Sequence, residues 1–282
     1  MSVMRSPTVR RRWLARQLKL ARQKEGMTIA KAAKALDMSQ SNLSRIENRE
    51  IGIRPIAVRA ALSLYNITGD EAEVIIEVAR GAQQRGWWQS YNDVIPDWLG
   101  FYVGLEEEAT SIETYQSEIV PGLFQTENYA REMFRLTAGD GDLDRKVAVR
   151  MRRQEILHRD EPVKVSAVVN EAVLIRPVGS AQTYAEQLNH LLDLSDLPNI
   201  TIQMLPFASG GHPAMTGPYV ILTFPDAVDD PVVYLDNYTV GHVLEEPEYH
   251  HWYHQAHQVL TSQALSPEST RDRIRELSGT VK

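Results

Sequence analysis

The chain has 282 residues, 43% of them hydrophobic and 24% charged, which is typical of a folded globular protein of about two domains. It contains no cysteine, which excludes disulfide frameworks, thiolate metal sites and cysteine nucleophiles. The longest apolar runs have about six residues, far short of the roughly 20 that a membrane-spanning helix needs, and no apolar signal segment is visible. We therefore expect a soluble, cytoplasmic protein without membrane contact.

Charge is divided unequally along the chain. The net formal charge is −7, which taken alone argues against a nucleic-acid partner. Residues 1–60, however, hold 14 Lys and Arg against 4 Asp and Glu, so this part carries +10 and the remainder −17. Such asymmetry is typical of a basic binding module joined to a different, acidic domain.

The basic part predicts five short helices in a compact bundle. Apolar residues spaced three and four apart indicate a first helix from Arg10, which Gly26 ends. Thr28 and Ser39 are predicted as the N-caps of the next two helices. The predicted divisions of the chain are a flexible leader at 1–9, the all-α domain at 10–80, a linker at 81–86 and a second domain at 87–282.

Beyond the linker, strands are predicted between helices. Neighbouring strands mixed with helices favour an α+β domain with a largely antiparallel sheet. The predicted strands are 111–120, 163–169, 200–205, 219–224 and 232–235, and the predicted helices are about 127–136, 144–159, 183–194, 248–263 and 267–277.

The segment 27–49 predicts a helix-turn-helix motif, two short helices joined by a tight turn. Ala32 and Ala33 are small enough for the two helices to cross closely, and Leu43 and Ile46 are the apolar anchors of the second helix. The N-terminal end of that helix enters the major groove in such motifs and carries short polar residues here. An unrelated helical hairpin with a polar face is the alternative.

The polar residues at this end have the chemistry of base recognition. Gln pairs with adenine edges, Arg with guanine and Ser with either. Phosphate contacts are expected from the surrounding cations and from the N-terminus of the fourth helix, with solvated surface charge as the alternative for each. The outward polar residues are Ser39, Gln40, Ser41, Asn42 and Arg45, and the phosphate-binding candidates are Arg10, Arg11, Arg12, Arg49 and Arg54.

These residues resemble the helix-turn-helix family of the phage lambda and 434 repressors, the Xre family, over about residues 10–70. The run SQSNLSRIENR at 39–49 is similar to the family's recognition helix and its end. Proteins of this type usually dimerise, so a homodimer on an inverted repeat in double-stranded DNA is expected. The base contacts that the resemblance implies are Gln40, Ser41 and Arg45, with Ser44 at the outer edge.

Five further positions gain a meaning from this resemblance. Thr28 begins the first motif helix and is expected to contact DNA, whereas Ile29 replaces the glutamine that many members use there. Arg49 stands where the family usually has Gly, which suggests a different C-cap and an added phosphate contact. Arg22 and Glu47 match a pair that forms an internal salt bridge in the family, so Arg22 is not expected to touch DNA.

Residues 87–278 resemble a second family. The segments NEAVLIRPVG at 170–179 and ITIQMLPFASGGHPAMTGPYVIL at 200–222 are similar to the C-terminal domain of unknown function DUF5753, which follows an Xre-type motif in actinobacterial regulators. The resemblance implies a regulator. It also implies a small protein partner as an option, because some members are classed as antitoxin-like. It implies no ligand or active site.

Two features of the second domain are candidate sites. His250, His254 and His257 share one face of a predicted helix, a spacing that can chelate a metal. A regular apolar stripe lies beside them, which favours the alternative that they are half-buried or exposed histidines at the border of that stripe. The acidic run that includes Glu106 and Glu113 is interpreted as a solvated face, with a docking surface for a basic partner as the alternative.

The sequence thus predicts a sequence-specific DNA-binding transcriptional regulator with a C-terminal sensing or partner-binding domain. No cofactor and no enzymatic activity are expected, because no nucleophile elbow, phosphate-binding loop, dinucleotide fingerprint or zinc-protease motif is found. The first alternative is an antitoxin-like protein that binds a small partner and autoregulates its operon. The second alternative is a metal-dependent enzyme with a DNA-targeting module.

Overall fold

The computed structural model describes residues 4–138, 141–225, 228–236 and 240–280, which fold into two compact units. We call Met1–Gln89 together with Asp226–Asp229 the helical unit, and Ser90–Pro225 together with Asp230–Lys282 the sheet unit. Within the described ranges, no helix is both long enough and apolar enough to cross a membrane.

The helical unit contains the five predicted helices. The first begins at Pro7 rather than at Arg10, because the Ser6 hydroxyl accepts the Val9 N–H and proline suits the first helical position. The predicted leader at 1–9 is therefore wrong for 7–9, and its residues 1–3 lie outside the described ranges. The helices are α1 (Pro7–Lys24), α2 (Ile29–Ala35), α3 (Gln40–Glu47), α4 (Pro55–Leu64) and α5 (Gly69–Gly81).

The first four helices end in the same hydrogen-bonded turn. The residue after each C-cap has a positive φ, and it and its successor donate N–H bonds back into the helix, which is the Schellman arrangement. In α3, the Arg49 N–H donates to the Ile46 carbonyl at 3.0 Å and the Glu50 N–H to the Arg45 carbonyl at 2.9 Å. The residues with positive φ at the four ends are Gly26, Asp37, Arg49 and Asn66.

The motif helices close on a hydrophobic cluster. Leu18 of α1, Ala32 and Ala33 of α2 and Leu43 of α3 are buried in it, so the small residues lie where the motif needs them. Tyr65 at the end of α4 completes the cluster, and burial raises its pKa to about 12.

A buried ion pair connects α1 to α3. The Arg22 Nε donates to Glu47 Oε1 at 2.6 Å, and its Nη2 donates to Oε2 at 2.7 Å. Arg22 Nη1 also donates to the Met27 carbonyl at 2.6 Å, at the turn that follows α1. Donation of these hydrogen bonds to Glu47 raises the pKa of Arg22 above its usual value. The predicted salt bridge is thus confirmed as a bidentate pair.

The sheet unit is α+β, as predicted. Every predicted strand is present, although the first ends at Gln116 instead of Val120. The sequence did not predict the helices Asp97–Glu106 and Glu171–Ile175 or the strand Gly241–Leu244. The helices are α6 (Asp97–Glu106), α7 (Glu127–Ala138), α8 (Leu143–Arg153), α9 (Glu171–Ile175), α10 (Ala181–Leu194), α11 (Pro247–Gln263) and α12 (Pro267–Thr280), and the strands are β1 (Ser111–Gln116), β2 (Lys164–Asn170), β3 (Ile200–Leu205), β4 (Tyr219–Thr223), β5 (Val232–Asp236) and β6 (Gly241–Leu244).

The six strands form one mixed, mostly antiparallel sheet in the order β3-β2-β1-β4-β5-β6. β2 pairs in parallel with β1 and β3, and the other pairs are antiparallel. The register places Glu113 beside Ser166 and Tyr115 beside Tyr219. Since side chains alternate along a strand, these residues share one sheet face, against which Leu260 of α11 packs.

Part of the acidic run is structural. Glu106 is 1% exposed and accepts two hydrogen bonds from Arg153, at 2.7 and 2.8 Å. The Tyr102 hydroxyl donates to the same carboxylate at 2.8 Å. The interpretation of this run as a solvated face or docking surface is therefore wrong for Glu106, because a paired carboxylate of this kind anchors the end of α6 inside the sheet unit.

The ion pair in the helical unit leads to a stability prediction. Glu47→Gln removes the charge that balances buried Arg22, so we expect the free energy of unfolding of the helical unit to fall by about 3 kcal/mol. Glu77→Gln is the matched control, since Glu77 pairs with Arg80 on the surface and its loss costs under about 1 kcal/mol. Urea denaturation of the full chain, followed by circular dichroism, measures both. Equal effects of the two substitutions would contradict a structural role of the buried pair.

Candidate nucleic-acid interface

The outward surface of α3 is polar. Leu43, Ile46 and Glu47 are buried on its inner side, which leaves the predicted base-contacting residues on the other side. The Asn48 amide donates to the Ser44 hydroxyl at 3.4 Å near the end of this surface. The structure therefore brings the predicted base contacts together: Gln40, Ser41 and Arg45 are exposed, and Ser44 is half-buried.

Both helices of the motif begin at a hydroxyl-bearing N-cap residue. The Thr28 hydroxyl accepts the Lys31 N–H at 3.3 Å, and the Ser39 hydroxyl accepts the Asn42 N–H at 3.1 Å. Thr28, Ser39 and Asn42 are exposed. Each hydroxyl fixes a helix end by accepting a bond and keeps its own O–H to donate, so capping and DNA contact are compatible.

Arg45 has an acidic neighbour that the sequence analysis missed. Its Nε lies 3.3 Å from Glu50 Oε2, and both side chains are more than half exposed. The only sequence signal was the position of Glu50, directly after the residue that replaces the family's glycine. An exposed pair of this kind contributes under about 1 kcal/mol to stability, so its significance is that it involves Arg45, a predicted base contact.

Arg12 and Arg49 are both ion-paired with the carboxylate of Asp229, which belongs to the helical unit. Arg12 is 2% exposed and its Nε is ion-paired with Asp229, whose side chain is fully buried. A guanidinium enclosed in this way offers no surface to a phosphate, so the prediction for Arg12 is wrong. Its counter-ion lies 217 residues along the chain, which sequence reasoning could not foresee.

Arg49 differs from its expected geometry. Its φ of 67° is the left-handed conformation that glycine adopts at this position, so the expectation of a different C-cap is wrong. This conformation costs a residue with a Cβ about 1 kcal/mol. Arg49 Nη2 lies 3.5 Å from Asp229 Oδ1 and its side chain is 19% exposed. The predicted phosphate contact of Arg49 stays a prediction.

The remaining phosphate candidates lie near the N-terminal ends of α1 and α4. Arg10 is half-buried and its Nε donates to the Met4 carbonyl at 2.9 Å. Arg11 is exposed and donates to the Ala82 carbonyl at 2.9 Å. Arg54 is exposed as the N-cap of α4 and lines, together with Arg11, a half-open pocket of about 390 Å³. Arg11 and Arg54 are thus the candidates placed best for phosphate.

The histidines of α11 turn to different partners. His257 is 4% exposed, with Nε2 2.9 Å from the Ser166 hydroxyl and Nδ1 3.2 Å from the Tyr219 hydroxyl. His254 Nδ1 lies 2.9 Å from Glu113 Oε2, and the His250 ring stacks on that of His254. In the part of the chain that the structure describes, no three His, Asp or Glu side chains are arranged to hold a metal ion.

The comparisons with known proteins agree with this geometry. Two short helices that cross at small buried residues and are joined by a tight turn form a helix-turn-helix motif. Residues 13–75 match the family described as a helix-turn-helix domain. This domain implies a DNA-binding regulator. Residues 99–276 match the domain of unknown function DUF5753, and the chain belongs to that family. No curated protein and no solved structure matches the chain.

The environment of His257 predicts a pH dependence of stability. Burial lowers the pKa of His257, and the nearby charge of His254 lowers it further while Glu113 opposes the shift. The unfolded chain therefore binds more protons than the folded one below about pH 6.5, so stability is present above that pH and is lost as pH falls toward the lowered pKa.

We expect His257→Gln to reduce this loss between pH 7 and pH 5. His251→Gln is the control, because His251 is an exposed histidine on the same helix. Thermal unfolding of the full chain at several pH values measures the loss. If the melting temperature of His257→Gln falls with pH as steeply as that of the wild type, His257 is not the source of the loss of stability.

Proposed function

We propose that the protein is a sequence-specific transcriptional regulator that reads an inverted repeat in double-stranded DNA as a homodimer. The observation that carries the proposal is the exposed set Gln40, Ser41 and Arg45 on a helix whose opposite side is buried. These side chains have the hydrogen-bonding groups that read base edges in the major groove. The basic first 60 residues supply the charge that attracts the phosphate backbone.

The proposed dimer follows from the size of the interface. One recognition helix of eight residues reaches only a few bases, and two copies one helical turn apart double the number that is read. The acidic sheet unit is proposed to sense a signal or to bind a partner. Such an event can regulate DNA binding only if it favours one of two states that differ in DNA affinity.

The first test is Arg45→Ala. We expect its affinity for the preferred duplex to fall by about tenfold or more, because a bidentate contact with guanine is lost. Arg80→Ala removes the same charge from an exposed site on α5 and is expected to change affinity little. The preferred duplex is selected from a randomised pool with the wild-type chain, and affinities are measured by fluorescence anisotropy. An unaltered sequence preference in Arg45→Ala would contradict the assigned recognition surface.

The second test concerns the phosphate contact of Arg54. The logarithm of the binding constant falls linearly with the logarithm of the salt concentration, with a slope that counts neutralised phosphates. We expect Arg54→Ala to reduce this slope by about one for each bound protomer, without a change of preferred sequence. Arg80→Ala is again the control. If both variants keep the wild-type slope, Arg54 does not neutralise a phosphate.

A further inference from the structure

The four Schellman turns of the helical unit differ in one respect. The second residue after the C-cap in this motif commonly makes an apolar contact with its own helix. This residue is Met27 after α1, Met38 after α2 and Ile67 after α4. Each of the three packs against the hydrophobic cluster of the motif helices. In α3, the recognition helix, the same position is occupied by Glu50, which is exposed. The exception thus falls on the one helix whose outer surface is proposed to read DNA.

Glu50 is joined to Arg45 through both backbone and side chain. The Glu50 N–H donates to the Arg45 carbonyl at 2.9 Å, and the Arg45 Nε–H points to Glu50 Oε2 at 3.3 Å. The left-handed conformation of Arg49 fixes the direction in which the chain leaves α3. The backbone turn therefore places the carboxylate beside the guanidinium before any ligand binds.

This contact determines which edge of the Arg45 guanidinium remains for DNA. A guanidinium carries five N–H donors in one plane, and the Nε–H is directed to Glu50. The edge formed by Nη1 and Nη2 then remains, and its two parallel donors match the O6 and N7 acceptors of guanine. A side chain that is ordered beforehand also loses less conformational freedom on binding.

We propose that Glu50 is a positioning residue for Arg45, which makes Arg45 read guanine in each half-site. The inference rests on the proposed function and adds which base Arg45 recognises. The carboxylate has a cost, since it repels the phosphate backbone. Removing it should therefore weaken guanine discrimination and strengthen binding to unrelated DNA. A purely structural role or a bulk charge effect does not produce these two opposite changes.

The experiment uses the full chain and a duplex selected from a pool randomised over about two helical turns. In one matched duplex, the base pair whose recognition is lost in Arg45→Ala is changed from G·C to A·T, and a third duplex is unrelated. The wild type is expected to prefer G·C about tenfold or more. Glu50→Gln and Glu50→Met are expected to retain less than about a third of that ratio and to bind the unrelated duplex more tightly.

Two controls separate positioning from charge and folding. Glu73→Gln removes one negative charge from an exposed position of α5, and it should leave the guanine ratio unchanged. Glu50→Met introduces the residue found at the turns after α1 and α2, and the turn after α4 also has an apolar residue there, so the fold is expected to be retained. The double variant Arg45→Ala/Glu50→Gln is expected to discriminate no worse than Arg45→Ala alone, because Glu50 acts through Arg45.

The outcomes distinguish this inference from the proposed function. Wild-type discrimination in Glu50→Gln overturns the positioning role alone, and so does an equal loss of the guanine ratio in Glu73→Gln. A wild-type chain that selects no sequence, or an Arg45→Ala variant that selects the same sequence, overturns the recognition surface and with it this inference.

Discussion

The outward side of α3, which is proposed to read DNA, depends on the buried pair of Arg22 and Glu47. Glu47 is the last residue of α3, so its bidentate contact fixes both the position and the rotation of that helix against α1. Arg22 bonds in addition to the Met27 carbonyl, which connects the same guanidinium to the turn before α2. One side chain therefore orders three neighbouring segments, and the outward direction of Gln40 and Arg45 follows from this arrangement.

The helix ends provide the second constraint. A Schellman turn satisfies the last carbonyl groups of a helix and sets the direction of the following chain. Gly26 accepts the positive φ without a Cβ, whereas Arg49 adopts it at a cost and lies near the Asp229 carboxylate. Arg49 therefore adds an ion pair with Asp229 that glycine, which has no side chain, cannot make.

The sequence was informative where local chemistry decides the structure. Thr28 and Ser39 are caps whose hydroxyls bond to nearby N–H groups, and such signals predicted the motif helices and strands such as β3 well. The sequence failed where burial or distance decides. α6 is buried on several sides and has little periodicity, and β6 has only four residues. Partners such as Glu113 for His254 meet only in the folded sheet unit.

The helical unit extends beyond the domain boundary that composition predicts. The change of charge placed the end of the DNA-binding domain near residue 80, yet Val228 and Asp229 are buried members of the helical unit. These two residues lie within the segment 99–276 that matches DUF5753. Removing an ion-pair partner from a buried charge is strongly destabilising, so Arg12 requires Asp229. A chain cut at the predicted linker therefore lacks part of the unit that holds α3.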